Sequence, residues 1–209
     1  MTRVGVIGAT GYAGAELVRI LAGHSEIELT VLTSRNYAGE KFDTIYPALA
    51  GVVDLTCEEY DIDRLGDRAD VIFTALPHKL PMAIVPELIK RGKRVVDLSA
   101  DFRFQDPLTY EAHYEPHTAK ELLSGAVYGL SEIYFEDIKS AALVGNPGCY
   151  PTRVLLPLVP LLKKGLIYHR TNKTQKKTKD SGAGRTPSYT TMKKEQTETY
   201  KANKMTQHN

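Results

Sequence analysis

The sequence is poor in cysteine, contains no long apolar run and has no large excess of charge of either sign. Its two cysteines, Cys57 and Cys149, are too far apart for a C-x-x-C motif, so the sequence predicts neither a zinc site nor a disulfide framework. No apolar stretch approaches the roughly 20 residues of a membrane span. The formal net charge of +2 is too small to indicate a nucleic-acid-binding surface. We therefore expect a protein of the reducing cytoplasm that binds neither membranes nor nucleic acids.

The segment 171–209 lacks the large apolar side chains that build a protein core. It contains no Val, Ile, Leu or Phe, and its eight lysines and one arginine outnumber its three acidic residues. A segment that can bury so little cannot offset the conformational entropy lost on ordering. We expect much of it to be poorly ordered, whereas the 42% hydrophobic content of the whole chain is typical of globular proteins.

What the sequence does contain is an alternation of strand-like and helix-like segments. The strand-like ones are residues 3–7, 27–33, 70–76, 94–100 and 141–146, and the clearest helix-like ones are residues 12–22 and 83–92. Alternation of this kind predicts an α/β fold with a Rossmann-like, doubly wound parallel sheet. A further helix is predicted from Pro151 onwards, and Pro157 and Pro160 are expected to bend it or end it early.

Three glycines separate the first predicted strand from the first predicted helix. Gly8, Gly11 and Gly14 have the spacing G-x-x-G-x-x-G, which lets the backbone turn tightly and approach a pyrophosphate. Unpaired N–H groups and the helix dipole would offset the charge of that group. The predicted dinucleotide contacts in this turn are Gly8, Thr10, Gly11, Tyr12, Ala13 and Gly14. The alternative is a tight turn that uses glycine for its geometry alone.

The end of the second predicted strand indicates which dinucleotide is bound. An NAD site usually carries an acidic residue about 20 residues beyond the glycine turn. Ser34 and Arg35 occupy that place, and an arginine there can pair with the 2′-phosphate of NADP. The pattern favours NADP over NAD and makes both residues predicted contacts. A solvated surface charge is the alternative for Arg35.

Cys149 lies in the stretch VGNPGCYPT, between a predicted strand and a predicted helix. Pro151 suits the first turn of a helix, which places the sulfur near a helix N-terminus, where partial positive charge favours the thiolate. Pro147 and Gly148 fix the approach of the chain. These features predict a nucleophile that holds an acyl group as a thioester for reduction by hydride. A small buried hydrophobe is the alternative, and it is the expectation for Cys57.

Four stretches of the sequence together resemble one known family. They are VGVIGATGYAGAELVRIL, TALPH, VVDLSADFR and GNPGCYPT, and in this order they resemble the N-acetyl-γ-glutamyl-phosphate reductases of arginine biosynthesis. The resemblance implies an NADP-binding Rossmann-like domain over residues 1–148 and the incomplete start of an α+β substrate and dimerisation domain over residues 149–209. It also implies that the chain stops within that second domain and that the complete family member is a homo-oligomer.

The resemblance further implies a reaction and the residues that carry it. Cys149 would attack a small acyl-phosphate substrate, phosphate would leave, and NADPH would reduce the thioester to N-acetylglutamate 5-semialdehyde. His208 falls where the family has the second histidine of an H-x-H-x-P-E motif, and it would act as the catalytic base. A disordered terminal histidine is the alternative, because His208 is the penultimate residue and Thr206 stands in place of the first histidine.

The remaining candidates follow predicted strand ends or match loops of the family. Those expected on the cofactor side are Pro77, His78, Gly182 and Gly184. Asn146 and Arg103 are expected to contact the substrate, Arg103 through a bidentate bond to a carboxylate or phosphate. An ion pair with Asp101 or Asp106 is the alternative for Arg103, a loop residue without a role is the alternative for His78, and an unstructured linker is the alternative for residues 182–184.

Two other functions stay open on the sequence. One is reduction of a related acyl phosphate, either the aminoadipyl or the aspartyl compound, the latter being disfavoured because GNPGCYPT does not resemble that family's cysteine turn. The other is a non-catalytic NADP-binding remnant, which the hydrophobe-poor segment 171–209 favours. A metal site is not expected, because Pro116 lies between His113 and His117 and disfavours the helix that would pair them.

Overall fold

The computed structural model describes residues 1–167, in which strands and helices alternate. The strands are β1 Thr2–Ile7, β2 Ile27–Thr33, β3 Cys57–Glu58, β4 Val71–Thr74, β5 Arg94–Asp97, β6 Ala126–Tyr128 and β7 Leu143–Gly145. The helices are α1 Tyr12–Ala22, α2 Phe42–Ile45, α3 Ile62–Arg68, α4 Leu80–Lys90, α5 Pro107–Glu111, α6 Ser131–Ser140 and α7 Cys149–Lys163. Short 3₁₀ helices occupy Pro47–Leu49 and Lys120–Gly125. All the predicted strands and helices are present, whereas the sequence patterns did not predict α2, β3, α3, α5, β6 or α6.

Within residues 1–167 the strands form one parallel sheet in the order β3-β2-β1-β4-β5-β7-β6. The chain runs from β1 outward to β3 and then returns to the other side of β1 at β4. The direction of winding therefore reverses between β1 and β4, which is where open α/β sheets bind their ligands. The predicted doubly wound parallel sheet is confirmed.

Apolar side chains cover both faces of this sheet. Val6 of β1 is buried in one core with Val18 of α1, and its neighbour Ile7 is buried in the other core with Leu65 of α3 and Val85 of α4. Successive strand residues point to opposite faces, so a strand between two helical layers must be apolar at every position. Full burial of each such side chain stabilises the fold by roughly 1.5–3 kcal/mol.

For helix α7 the sequence allowed two outcomes, a bend or an early end at Pro157 and Pro160. The helix continues through both prolines to Lys163, so they do not end it early, and the bend stays a prediction. Each proline removes one backbone N–H donor, but Leu155 and Val159 of the same helix are buried against Leu130. This packing outweighs the missing hydrogen bonds. Neither α7 nor any other helix in residues 1–167 has both the length and the apolarity needed to cross a membrane.

The predicted domain boundary between residues 148 and 149 falls at the start of α7. Gly148 is the N-cap residue of that helix, with φ −67° and ψ 154° in the extended region, and it follows β7 by three residues. The division into domains 1–148 and 149–209 stays a prediction. The predicted polar segment 171–209 lies outside the described residues.

Candidate functional site

Four loops meet at one edge of the sheet because all its strands run parallel. They are the glycine turn (residues 8–14) after β1, the 77–79 turn after β4, the 98–103 loop after β5 and the cysteine loop (residues 146–149) after β7. Neighbouring strands lie about 4.8 Å apart, so β1 and β7, three positions apart in the sheet, are separated by roughly 14 Å. An extended ligand lying along this edge can therefore reach from the glycine turn to the cysteine loop.

The three positions of the glycine turn differ in how strictly the fold requires glycine. Gly8 has φ +82°, and a Cβ atom on it would lie 2.5 Å from the carbonyl oxygen of Ala75. A Cβ atom on Gly14 would lie 2.3 Å from the carbonyl oxygen of Gly8. Gly11 has an ordinary backbone conformation, and its Cβ atom would meet only the Gly8 oxygen, at 3.6 Å. The fold therefore requires glycine at two positions but leaves open space at the third.

This difference predicts opposite outcomes for two alanine variants. Gly14→Ala forces backbone atoms apart and is expected to lower the free energy of unfolding by about 2 kcal/mol. Gly11→Ala is expected to change it by no more than about 0.5 kcal/mol, yet to weaken dinucleotide binding at least about tenfold, because the methyl group occupies space that a pyrophosphate needs. Urea unfolding and titration with NADP⁺ measure the two effects. Unchanged NADP⁺ affinity in Gly11→Ala would refute the assignment of this turn.

Thr10 and Ser34 are both predicted cofactor contacts, but their hydroxyl groups bind each other. They share a buried hydrogen bond of 2.7 Å, and the Ser34 oxygen also accepts the N–H of Tyr37. The Thr10 carbonyl oxygen accepts a bond of 2.7 Å from the Tyr46 hydroxyl. These bonds attach the glycine turn to the end of β2, and the contacts of Thr10 and Ser34 with the cofactor stay predictions.

The other predicted residues near the glycine turn are accessible. Tyr12 and Ala13, which begin α1, are exposed, and no side chain of the described residues caps that helix end. Arg35 is exposed beyond β2 and makes no ion pair with any of residues 1–167. Pro77 and His78 are exposed beyond β4 and directly follow Ala75 and Leu76, which lie beside Gly8. All five can therefore contact a ligand at this edge.

Cys149 begins α7 and is exposed, whereas Cys57 is fully buried in the core beside α1. The predicted position of the sulfur at a helix N-terminus is therefore what the structure shows. Within the described residues no side chain caps α7, so its first N–H groups and the positive end of its dipole lie beside the thiol. Burial raises the pKa of Cys57 to about 11, which makes that thiol inert.

Arg103 holds the cysteine loop to the 98–103 loop. It is 9% exposed, and its guanidinium donates to the carbonyl oxygens of Asn146, at 2.7 Å, and Leu98, at 3.0 Å. The sequence predicted a substrate anion or a neighbouring aspartate as its partner, and it did not predict these two carbonyls. A hydrogen bond between residues that are 43 positions apart leaves no recognisable pattern in the local sequence. The contacts of Arg103 and Asn146 with substrate stay predictions.

Two buried aspartates under this edge were not predicted as site residues. Asp97, the last residue of β5, accepts hydrogen bonds from the hydroxyls of Thr74, at 2.6 Å, and Ser99, at 2.5 Å. Its main-chain oxygen accepts the N–H of Asn146 at 2.8 Å. Burial raises the pKa of Asp97 to about 6, although the bonds from Ser99 and Thr74 oppose the shift. The second, Asp101, accepts from Tyr110 and Lys79.

The raised pKa of Asp97 makes part of the stability depend on pH. Because the folded state binds this proton more tightly than the unfolded chain, its contribution is complete below about pH 4 and is lost as pH rises through about 6. In the wild-type protein this should lower the free energy of unfolding by roughly 3 kcal/mol between pH 4 and pH 7, and Asp97→Asn should abolish that decrease. Urea unfolding from pH 4 to 7 measures it. Asp70→Asn is the control, because the Arg3 hydrogen bond lowers the pKa of Asp70 and its contribution has the opposite sign.

Three predicted residues lie outside the described part of the chain. They are Gly182, Gly184 and His208. Their proposed contacts with the cofactor, and the role of His208 as base, stay predictions. The candidate site therefore consists of the glycine turn, Arg35, the 77–79 turn, the 98–103 loop and the cysteine loop.

Comparison with known families matches nearly the whole chain. Residues 3–141 match the family described as "Semialdehyde dehydrogenase, NAD binding domain", and residues 149–209 match "Semialdehyde dehydrogenase, dimerisation domain". The first match includes the glycine turn and the 98–103 loop, and the second begins at Cys149. The two matches therefore cover all the described loops of the candidate site except residues 146–148.

Individual relatives agree with these matches. The N-acetyl-gamma-glutamyl-phosphate reductase of Desulforapulum autotrophicum is 51% identical over 208 residues, which are 100% of this chain and 60% of that protein. The enzyme of the same name from Desulforudis audaxviator is 55% identical over 186 residues, or 88% of this chain and 54% of that protein. These relatives confirm the resemblance seen in the sequence, and the chain spans little more than half of their length.

A solved structure shares the fold. The aspartate semialdehyde dehydrogenase of Candida albicans, determined with NADP, has a TM-score of 0.57 at 18% identity, over 78% of this chain and 47% of that protein. This likeness concerns the fold alone. Membership of a family follows instead from the family match over residues 3–141, which is most of the chain. By its sheet, its glycine turn and this match, the chain belongs to the semialdehyde dehydrogenase family.

Proposed function

We propose that the protein is an NADPH-dependent reductase of N-acetyl-γ-glutamyl phosphate, which it converts to N-acetylglutamate 5-semialdehyde and phosphate. The observation that carries the proposal is an exposed cysteine at the start of α7, on the same sheet edge as a glycine turn with room for a pyrophosphate. The relatives at 51% and 55% identity are named for this reaction. The match of residues 149–209 to a dimerisation domain supports a homodimer.

The described residues fit NADPH. The space beside Gly11 and the N–H groups that begin α1 suit the pyrophosphate, and Arg35 suits the 2′-phosphate. Pro77 and His78 border the crevice between β1 and β4. When bound, NADPH supplies the hydride that reduces a thioester to an aldehyde. Gly182 and Gly184 are proposed to contact it as well.

Cys149 is the proposed nucleophile. Its sulfur bonds to the carbonyl carbon of the acyl phosphate, the bond from that carbon to the phosphate oxygen breaks, and the acyl group stays on the enzyme as a thioester. Negative charge develops on the carbonyl oxygen, and the N-terminus of α7 is placed to stabilise it. Asn146 and Arg103 are proposed to contact the substrate, and His208 is proposed to accept the thiol proton.

The choice of NADP over NAD depends on Arg35 under this proposal. Arg35→Ala removes a charge-assisted bond to the 2′-phosphate and should raise the Kd for NADP⁺ by roughly 10- to 100-fold, with no change for NAD⁺. Calorimetric titration with both dinucleotides measures this. Arg19→Ala, on the exposed surface of α1 and paired with Glu16, is the matched control and should change neither Kd. Equal losses for both dinucleotides in Arg35→Ala would contradict the role.

Phosphate-dependent reduction of NADP⁺ tests the reaction itself. The protein is mixed with phosphate and NADP⁺, and N-acetylglutamate, aminoadipate and aspartate semialdehydes are added one at a time. We expect turnover with the first, and none when phosphate is omitted. Preference for another semialdehyde would indicate that the protein reduces the corresponding acyl phosphate instead. Tight NADP⁺ binding without turnover on any of them would indicate a protein that only binds the dinucleotide.

A further inference from the structure

Asp101 is a buried carboxylate that the proposed reaction does not use. It is fully buried, and its two oxygens accept hydrogen bonds of 2.8 Å from the Tyr110 hydroxyl and from the backbone N–H of Lys79. No lysine or arginine side chain among residues 1–167 pairs with it. His78 Nδ1 lies 3.9 Å away, but this nitrogen accepts the N–H of Ala100, so the contact is not an ion pair. Two neutral donors therefore hold this carboxylate.

The Lys79 N–H that binds Asp101 belongs to a strained turn. Lys79 has φ +80° and ψ −38°, and it is the one non-glycine residue of the described chain with positive φ. A side chain disfavours this conformation, which persists only where surrounding contacts impose it. The residue stands immediately before α4, in the turn after β4. The bond to Asp101 is the contact that holds the Lys79 backbone itself, beside the exposed ion pair of the Lys79 side chain with Glu115 at 2.8 Å and the bond from the Ala100 N–H to His78.

The 98–103 loop contacts both sides of the candidate site. On one side Asp101 binds the Lys79 N–H and the Ala100 N–H binds His78. On the other side Arg103 binds the carbonyl oxygen of Asn146, three residues before the cysteine. The 77–79 turn directly follows Ala75 and Leu76, which lie beside Gly8 at the proposed dinucleotide crevice. One loop therefore sets the position of the crevice wall relative to the thiol.

We propose that Asp101 is a positioning residue that holds the 77–79 turn in its left-handed conformation and so fixes the dinucleotide crevice relative to Cys149. The inference rests on the proposed function, because it assigns Asp101 to the hydride-transfer geometry. Asp101 acts through Lys79 and does not touch the substrate. Displacement of the reacting groups by about 1 Å can reduce a rate by about a hundredfold, so a contact this close to the crevice has a measurable effect.

Four variants separate positioning from general stability. Asp101→Ala removes both hydrogen bonds, whereas Tyr110→Phe removes one bond to the same carboxylate and keeps the Lys79 bond. Asp101→Asn can accept the Lys79 N–H and donate to the Tyr110 oxygen, so it restores both contacts. Asp101→Ala combined with Lys79→Gly lets the turn keep its positive φ without the Asp101 bond, because glycine adopts positive φ freely.

Asp101→Ala is expected to change the turnover rate and the hydrogen-exchange rate of the Lys79 amide. In Asp101→Ala, kcat should fall by about 10- to 50-fold, and the isotope effect with NADPH deuterated at the transferred position should rise, because hydride transfer becomes limiting. Hydrogen exchange of the Lys79 amide should accelerate at least about tenfold. Tyr110→Phe and Asp101→Asn should keep kcat and the isotope effect near the wild-type values. The combined variant should recover part of the loss in kcat.

The proposal is overturned if Asp101→Ala leaves the Lys79 amide protected, or if Tyr110→Phe reduces kcat as much as Asp101→Ala does. It is also overturned if the combined variant is no better than Asp101→Ala. A wild-type protein without turnover on any semialdehyde would refute the proposed function instead. Amide exchange and the Kd for NADP⁺, which should rise in Asp101→Ala and not in Tyr110→Phe, would then still decide whether Asp101 positions the turn.

Discussion

Cys149→Ser is expected to abolish turnover, with a loss of at least about 10³-fold in kcat, while the Kd for NADP⁺ and the free energy of unfolding stay near the wild-type values. A serine hydroxyl is a far weaker nucleophile than a thiolate, and the residue is exposed, so little packing is lost. With N-acetyl-γ-glutamyl phosphate and no NADPH, the wild-type protein should gain the mass of one acyl group by mass spectrometry. The variant should gain none.

The second cysteine supplies a matched control for this experiment. Cys57 is fully buried, so the native wild-type protein should incorporate one iodoacetamide per chain, Cys57→Ala also one, and Cys149→Ser none. Unfolding in urea should expose both thiols of the wild-type protein. Residual turnover of Cys149→Ser above a few per cent, or an acyl adduct on another residue, would exclude Cys149 as the nucleophile.

The parts of this site that the sequence predicted are those written in local patterns. The limits of α1 and β2 agree with the periodicity of apolar residues, and Cys149 begins a helix as Pro151 indicated. Each of these features depends on residues within a few positions of one another. The glycine turn was identified for the same reason, although its spacing alone did not reveal that Gly8 and Gly14 serve the fold while Gly11 leaves open space.

The parts that the sequence did not predict depend on contacts between distant segments. The bond from Arg103 to the Asn146 carbonyl joins strand ends that become neighbours only when β5 and β7 pair. The hydroxyls of Thr10 and Ser34 meet because β1 and β2 pair, and no pattern in the sequence indicated this bond between them. Short elements such as β3, with two residues, carry too little periodicity to be recognised. That α7 does not end early at Pro157 and Pro160 has a related cause, since burial of this helix outweighs local propensity.

Gly145→Ala is the substitution expected to damage the fold most. Gly145 ends β7, and a Cβ atom there would lie 2.2 Å from the carbonyl oxygen of Phe102, 2.5 Å from its carbonyl carbon and 2.9 Å from the Arg103 nitrogen. These are backbone atoms of a buried loop, so no side-chain rotation relieves the overlap. We expect a loss of about 4 kcal/mol in the free energy of unfolding, measured by urea denaturation.

The same substitution should also separate the cysteine loop from the 98–103 loop, because the backbone that it displaces, at Phe102, is next to Arg103. If its bond to the Asn146 carbonyl is lost, the cysteine loop is no longer held against the 98–103 loop, and the residual folded protein should turn over slowly. Gly125→Ala is the matched control, since nothing lies within 4 Å of its Cβ position, and it should leave stability within about 0.5 kcal/mol. A Gly145→Ala protein as stable as this control would contradict the close contact between Gly145 and the Phe102 backbone. It would also contradict the proposed dependence of the cysteine loop on the 98–103 loop.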